Sequence, residues 1–242
     1  MADLTILVLS EDSGKDGRLT VKRVIERLLL SWHEGRQVLE IDDTSDTPAA
    51  SLANLWASKA GGKKQVDFIR RLATELGTGR FVVFHYDGDT SWERRADAQL
   101  PAKFERMVRT KLAQLRAAKG KPVDVTRLLE MVPHYHIESW VYQATDRAIQ
   151  ISQEQHGSTD VELYQKWAAE RALLDEVPKP GPKEMMRLRD KHNAELAQHI
   201  PSVEVIAVNK SFAAFARKLY GVVALESLRR PEIVAALQSD GP

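Results

Sequence analysis

Two apolar stretches decide the fold of this chain: LTILVL at residues 4–9 and FVVFHY at residues 81–86. Each is a nearly unbroken apolar run, rich in leucine, β-branched and aromatic side chains, with polar residues on either side. Such runs are typical of strands that are buried on both faces, as in a parallel sheet covered by helices. We therefore interpret both stretches as central strands of an α/β domain.

Helical periodicity separates these strands. Apolar residues recur at helical spacing in residues 19–29, 65–76 and 101–119, and shorter strands are predicted at 37–41 and 123–132. This alternation of strands and helices predicts a mostly parallel, Rossmannoid sheet with helices on both faces.

The second half of the chain has a different pattern. Predicted helices cover residues 137–155, 159–176, 184–199 and 212–220, and the β-branched run at 203–208 predicts a last strand. We therefore expect an α/β core over residues 1–140 and a mainly helical C-terminal region over residues 141–242, packed on that core.

The bulk composition limits the class of protein. The chain has 242 residues, a net charge of +1 and no cysteine, which excludes a disulfide framework and a zinc site built on thiolates. No apolar stretch approaches the ~20 residues that span a bilayer, and no basic leader opens the chain, so we expect a cytoplasmic protein that does not associate with membranes. Because the net charge is small, any nucleic-acid contact must come from local basic groups.

Acidic residues follow the predicted strands. Glu11 comes after the first strand, Asp87 and Asp89 come after the second, and Glu138 lies beyond the strand at 123–132. The carboxyl ends of parallel strands share one edge, where ligands bind. Carboxylate oxygens are the ligands that Mg²⁺ and Mn²⁺ prefer, so this pattern predicts a divalent metal site. Taken singly, each acid also fits an ordinary turn or the first turn of a helix.

Two short motifs resemble those of the Toprim superfamily, which includes topoisomerases, primases, recombination proteins and nucleases. They are LVLSE at residues 7–11 and Asp87-Gly88-Asp89, and the resemblance covers roughly residues 4–140. The segment PHYHIESW at residues 133–140 is similar to one in small stand-alone Toprim-like proteins of bacterial defence systems. The resemblance implies a Toprim-like fold, with Glu11 as general acid or base, Asp87 and Asp89 as magnesium ligands, and Glu138 as a further acid.

The resulting hypothesis is a Mg²⁺-dependent or Mn²⁺-dependent endonuclease that acts on DNA or RNA. Lys15, Arg94, Arg95 and His136 are the candidate substrate contacts, since cations neutralise backbone phosphates. By resemblance, the protein would act in antiphage defence or as a toxin-like effector, together with a regulatory ATPase partner.

The sequence leaves alternatives open. The acids could be loop residues of a non-catalytic interaction subunit of a larger assembly, or the enzyme could be a phosphohydrolase that acts on small phosphorylated molecules. His134 and His136 alternate and could share one face, but no third nitrogen ligand for zinc is evident nearby. The number of metal ions and the oligomeric state, monomer or homo-oligomer, also stay open.

Overall fold

The computed structural model describes residues 3–11, 15–33, 36–43, 62–88, 99–115, 122–176, 191–223 and 225–239. The strands are β1 (Leu4–Ser10), β2 (Trp32–His33), β3 (Arg36–Gln37), β4 (Leu39–Asp42), β5 (Phe81–His85) and β6 (Leu128–Met131). The helices are α1 (Lys15–Leu28), α2 (Lys63–Gly77), α3 (Gln99–Phe104), α4 (Thr110–Gln114), α5 (Glu138–Val141), α6 (Thr145–Gln155), α7 (Val161–Ala169), α8 (Leu173–Glu176), α9 (Asn193–Gln198), α10 (Ser202–Val208), α11 (Lys210–Val222) and α12 (Pro231–Gln238). A π-helical turn at Glu105–Arg109 joins α3 to α4.

The main sheet has four strands in the order β4-β1-β5-β6, and all neighbouring pairs are parallel. β1 and β5 lie side by side at its centre, with Ser10 opposite His85 at their carboxyl ends. β2 and β3 form a separate antiparallel pair. The α/β class with a parallel sheet, predicted from the sequence, is therefore confirmed.

Both faces of the sheet are covered by helices, as predicted. Ile6 and Val8 of β1 belong to the apolar cluster that contains the buried face of α1. Leu7 and Leu9 point the other way, into a second cluster with residues of α2, α3 and α4. Because side chains alternate along a strand and both sides are buried, β1 is a continuous apolar run.

The path of the chain creates a switch point between β1 and β5. α1 leads from β1 to β4 on one side of it, whereas α2 leads to β5 on the other side. In open α/β sheets, ligands bind beyond the carboxyl ends of the strands at the place where the strand order reverses. A ligand site is therefore expected at the carboxyl ends of β1 and β5.

The helices after residue 140 pack on the same face of the sheet as α1. Trp140 of α5 is fully buried and contacts Phe212 and Phe215 of α11, with ring centroids 5.2 and 5.9 Å away. The hydroxyl of Tyr220 donates to the carbonyl of Leu28 at 2.6 Å, which ties α11 to the end of α1. No helix in the described part of the chain has the length and the apolar character needed to cross a membrane.

Two predicted strands differ from the observed structure. Residues 203–208 form a helix and not a strand, because the buried residues Ser202, Val205 and Ile206 recur at helical spacing while Val203 is exposed. The strand predicted at 123–132 is shorter, since β6 covers only Leu128–Met131 and follows a 3₁₀ turn. β-Branched residues favour strands only weakly, and packing overrides that preference in α10.

We expect Trp140→Ala to lower the free energy of unfolding by about 3–5 kcal/mol, because it leaves a cavity where sheet and C-terminal helices meet. Trp140→Phe keeps most of the packing. It loses the five-membered ring of the indole and its N–H bond to Ser211 Oγ, which is 2.8 Å long. It should therefore cost clearly less, about 1–3 kcal/mol. Urea unfolding at pH 7 measures both, and equal losses for the two variants would contradict this packing.

Candidate active site

Glu11 and Asp87 lie next to each other where β1 and β5 end. The backbone N–H of Glu11 donates to the carbonyl of His85 at 3.0 Å, which extends the pairing of the two strands by one residue. The backbone N–H of Asp87 then donates to Oε1 of Glu11 at 2.6 Å. The two acids therefore leave the sheet at the switch point as a hydrogen-bonded pair.

The side chain of Asp87 also contacts the segment that leads into α5. Its Oδ1 accepts the backbone N–H of Ile137 at 3.1 Å and lies 3.6 Å from Nε2 of His85. His85 is buried, as predicted, and its Nδ1 is 3.0 Å from the hydroxyl of Ser10. These contacts hold the Asp87 carboxylate between the end of β5 and the residues just before Glu138.

Gly88 brings two loops into close contact beside this acid pair. Its N–H donates to the carbonyl of Pro133 at 3.0 Å. A Cβ at position 88 would lie 2.4 Å from that oxygen and 2.5 Å from the carbonyl oxygen of His134. Gly88 is not among the described residues with positive φ, so the glycine is required for this close approach and not for its backbone conformation.

Glu138 forms a second acidic centre, at the start of α5. It is 8% exposed, its Oε2 is 2.9 Å from Nδ1 of His136, and its Oε1 accepts the amide N–H of Asn193 at 3.1 Å. Burial alone would raise the pKa of Glu138, but the hydrogen bond and charge of His136, with the bond from Asn193, lower it to about 2. The carboxylate is therefore ionised, with both oxygens engaged.

The other ring nitrogen of His136 marks this centre as a place for a ligand. Glu138 is ionised and can only accept, so Nδ1 of His136 is the donor in their hydrogen bond. The side chain of His136 is buried, and its residue is only 1% exposed. Two atoms here, Nε2 of His136 and Oδ1 of Asn193, have no hydrogen-bond partner within the described residues. Buried polar atoms are nearly always satisfied, so these two atoms are candidates for contact with a water, an ion, a substrate group or a residue outside the described part of the chain.

The donor chemistry fits a divalent cation, but the described residues alone do not complete a site. Carboxylates and an imidazole are suitable ligands for Mg²⁺ or Mn²⁺ and for the waters around them. Within the described ranges, no three His, Asp or Glu side chains lie close enough to hold one ion. Asp89, the third expected ligand, lies outside the described residues.

Most candidate substrate contacts cannot be located. Arg94 and Arg95 lie outside the described residues. α1 begins at Lys15, but the side chain of Lys15 is likewise outside the described part. Of the predicted contacts, only His136 is described, and it is buried against Glu138.

Two groups near the edge were not predicted from the sequence. Asn193, which contacts Glu138, lies 55 residues away in the chain, and no motif singles it out. Beneath the edge, the hydroxyl of Tyr86 donates to Glu130 at 2.6 Å, and Arg109 donates to the other oxygen of Glu130 at 2.8 Å. Burial and the charge of Glu130 raise the pKa of Tyr86, so its hydroxyl keeps its proton.

We expect Glu138→Gln to lower the free energy of unfolding by about 2–3 kcal/mol at pH 7. The folded-state pKa of Glu138 is about 2, below the ordinary 4.5, so its carboxylate stabilises the fold above pH 4.5 and loses that effect between about 4.5 and 2. The difference between wild type and variant should thus shrink below pH 4.5 in urea unfolding. Glu162→Gln, at an exposed position of α7, is the control, and a pH-independent difference would contradict the ionised state.

We expect Gly88→Ala to lower the free energy of unfolding by about 1–3 kcal/mol, because the added methyl group forces the Pro133 loop away. Gly221→Ala is the matched control, since a Cβ there meets no atom within 4 Å. Urea unfolding compares the two substitutions. If Gly88→Ala is as harmless as Gly221→Ala, the close approach of the two loops is wrong.

Comparisons with protein-family models, with curated proteins and with solved structures found no match for this chain. The function is therefore inferred from the residues and their geometry at the sheet edge.

Proposed function

We propose that this protein is a metal-dependent nuclease that cleaves phosphodiester bonds of DNA or RNA. One observation carries the proposal: at the switch point of a parallel sheet, the backbone N–H of Asp87 donates to the carboxylate of Glu11, so the two acidic residues lie side by side. An acid pair at this position is suited to hold a hard cation and to move a proton beside it. Nε2 of His136, which is buried and has no hydrogen-bond partner among the described residues, supports a ligand close by.

In this proposal, Asp87 and Asp89 hold Mg²⁺ or Mn²⁺, and Glu11 is the general acid or base. A bound divalent ion would polarise the scissile phosphate and favour ionisation of an attacking water. Oε1 of Glu11 accepts the N–H of Asp87, which orients the Glu11 carboxylate for proton transfer. Asp87 is oriented in turn by the N–H of Ile137, which limits the directions its carboxylate can face.

Glu138 and His136 act beside the acid pair. The ionised Glu138 holds the Nδ1 proton of His136, which fixes the ring and leaves Nε2 for a substrate phosphate or a water that contacts it. Lys15, Arg94 and Arg95 would neutralise the phosphates of a nucleic-acid strand. Such local cations are required because the whole chain carries a net charge of only +1.

The biological setting is proposed from the Toprim resemblance. In the Toprim-like proteins of bacterial defence systems that this chain resembles, nucleases of this type act in antiphage defence or as toxin-like effectors under the control of an ATPase partner. The C-terminal helices, which cover one face of the sheet, would supply the surface for such a partner.

We expect Glu11→Gln and Asp87→Asn each to lower cleavage by about 10²–10⁴-fold, because each removes a charge needed for proton transfer or metal binding. Asp89→Asn should behave in the same way. Purified protein would be assayed on plasmid DNA, single-stranded DNA and RNA with Mg²⁺ or Mn²⁺, and with EDTA. Asp67→Asn, at an exposed position of α2, is the control and should keep full activity.

The outcomes separate the alternatives. Cleavage that resists EDTA, or that all three site variants retain, would refute the proposed chemistry. Hydrolysis of nucleotides alone would identify a phosphohydrolase of small molecules. Absence of activity on every substrate, with variants as stable as the wild type, would favour a non-catalytic subunit.

A further inference from the structure

Two histidine rings meet at a second place, where α6 ends and α9 begins. His156 directly follows α6, and His192 directly precedes α9. Their Nε2 atoms are 3.3 Å apart, and the rings are nearly perpendicular, at 81°. The sequence did not indicate this pair, because its members are 36 residues apart.

The separation of the two nitrogens matches that of two ligands on one zinc ion. Zinc–nitrogen bonds are about 2.0–2.1 Å long, so two nitrogens at a tetrahedral angle lie about 3.3–3.4 Å apart. A hydrogen bond between two neutral rings would also join these atoms, but 3.3 Å is beyond the usual 2.7–3.2 Å for a hydrogen bond donated by nitrogen.

The surroundings of His192 resemble the support that metal-binding histidines have. Its Nδ1 lies 3.7 Å from Oε2 of Glu195, whose other oxygen, Oε1, accepts hydrogen bonds from Nε and Nη2 of Arg147. At this distance the negative charge of the carboxylate favours a proton on Nδ1, which leaves the lone pair on Nε2.

Access to the pair is from the side of His156. His192 is 3% exposed, whereas His156 is half-buried and borders solvent. Within the described ranges no third His, Asp or Glu joins them. The pair therefore offers two nitrogen ligands, and one of its rings borders solvent.

We propose that His156 and His192 form a binding site for a divalent transition-metal ion of the zinc type. The ion would fasten the end of α6 to the start of α9, directly beside Asn193, which donates to Glu138. Imidazole ligands favour Zn²⁺, Co²⁺ and Ni²⁺ over Mg²⁺, so this site would differ in metal preference from the carboxylates at the sheet edge. The proposal does not depend on nuclease activity.

The test is Zn²⁺ binding by the tag-free full chain, measured by titration calorimetry and by the shift of the thermal unfolding midpoint. We expect wild type to bind Zn²⁺ and to gain stability, since an ion that binds only the folded state raises the midpoint. His156→Ala and His192→Gln should lose this site. Glu195→Gln should weaken it about tenfold, because it removes the carboxylate that supports His192.

His199→Ala is the matched control, because His199 is an exposed histidine at the far end of α9. It should bind Zn²⁺ as the wild type does, and Mg²⁺ should give no shift that depends on His156 or His192. His156 is half-buried, so His156→Ala tests the site even if His192→Gln fails to fold. Undiminished Zn²⁺ binding by His156→Ala, or no binding by wild type, would overturn the proposal and leave a simple hydrogen bond between the rings.

Discussion

The candidate site depends on one constraint, which is the parallel pairing of β1 with β5. This register places Ser10 opposite His85, so that the next residues, Glu11 and Tyr86, leave the sheet together. The N–H of Asp87 can therefore reach Oε1 of Glu11 without a long loop. A shift of one residue would turn these side chains to the opposite faces, because side chains alternate along a strand. The parallel register of β1 and β5 therefore sets the position of Glu11 beside Asp87.

A second constraint is the cost of burying charge. An ionised carboxylate taken out of water destabilises a protein unless hydrogen bonds and opposite charge compensate. Glu138 meets that condition through His136 and Asn193, one from the loop before α5 and the other from α9. The C-terminal helices therefore do more than cover an apolar face of the sheet. They complete the polar surroundings of an acid that stands next to the sheet edge.

The start of α9 connects two polar centres. Asn193 reaches Glu138, and the preceding residue, His192, faces His156 at the end of α6. Neighbouring residues near the start of a helix point in different directions, so one short segment serves both places. Any change that moves α9 would alter both the support of Glu138 and the spacing of the histidine rings. This coupling follows from the packing alone and holds whichever ligand either centre binds.

The sequence alone determined the α/β class, the buried central strands and the acids that follow them. These features are local, because a doubly buried strand must be continuously apolar and the polar residues after it must lie at the end of that strand. The sequence could not identify α10 as a helix, since the β-branched run at 203–208 is compatible with either element until its buried neighbours are known. Nor could it identify the role of Gly88, which depends on a carbonyl 45 residues away.

Only the tertiary structure decided which polar groups meet. Asn193 joins Glu138, and His156 meets His192, across separations at which no spacing rule operates. Periodicity reports which face of an element is buried, but it does not report which distant element covers that face. The acids could therefore be identified from the sequence, whereas the residues that contact them depend on how the C-terminal helices pack against the sheet.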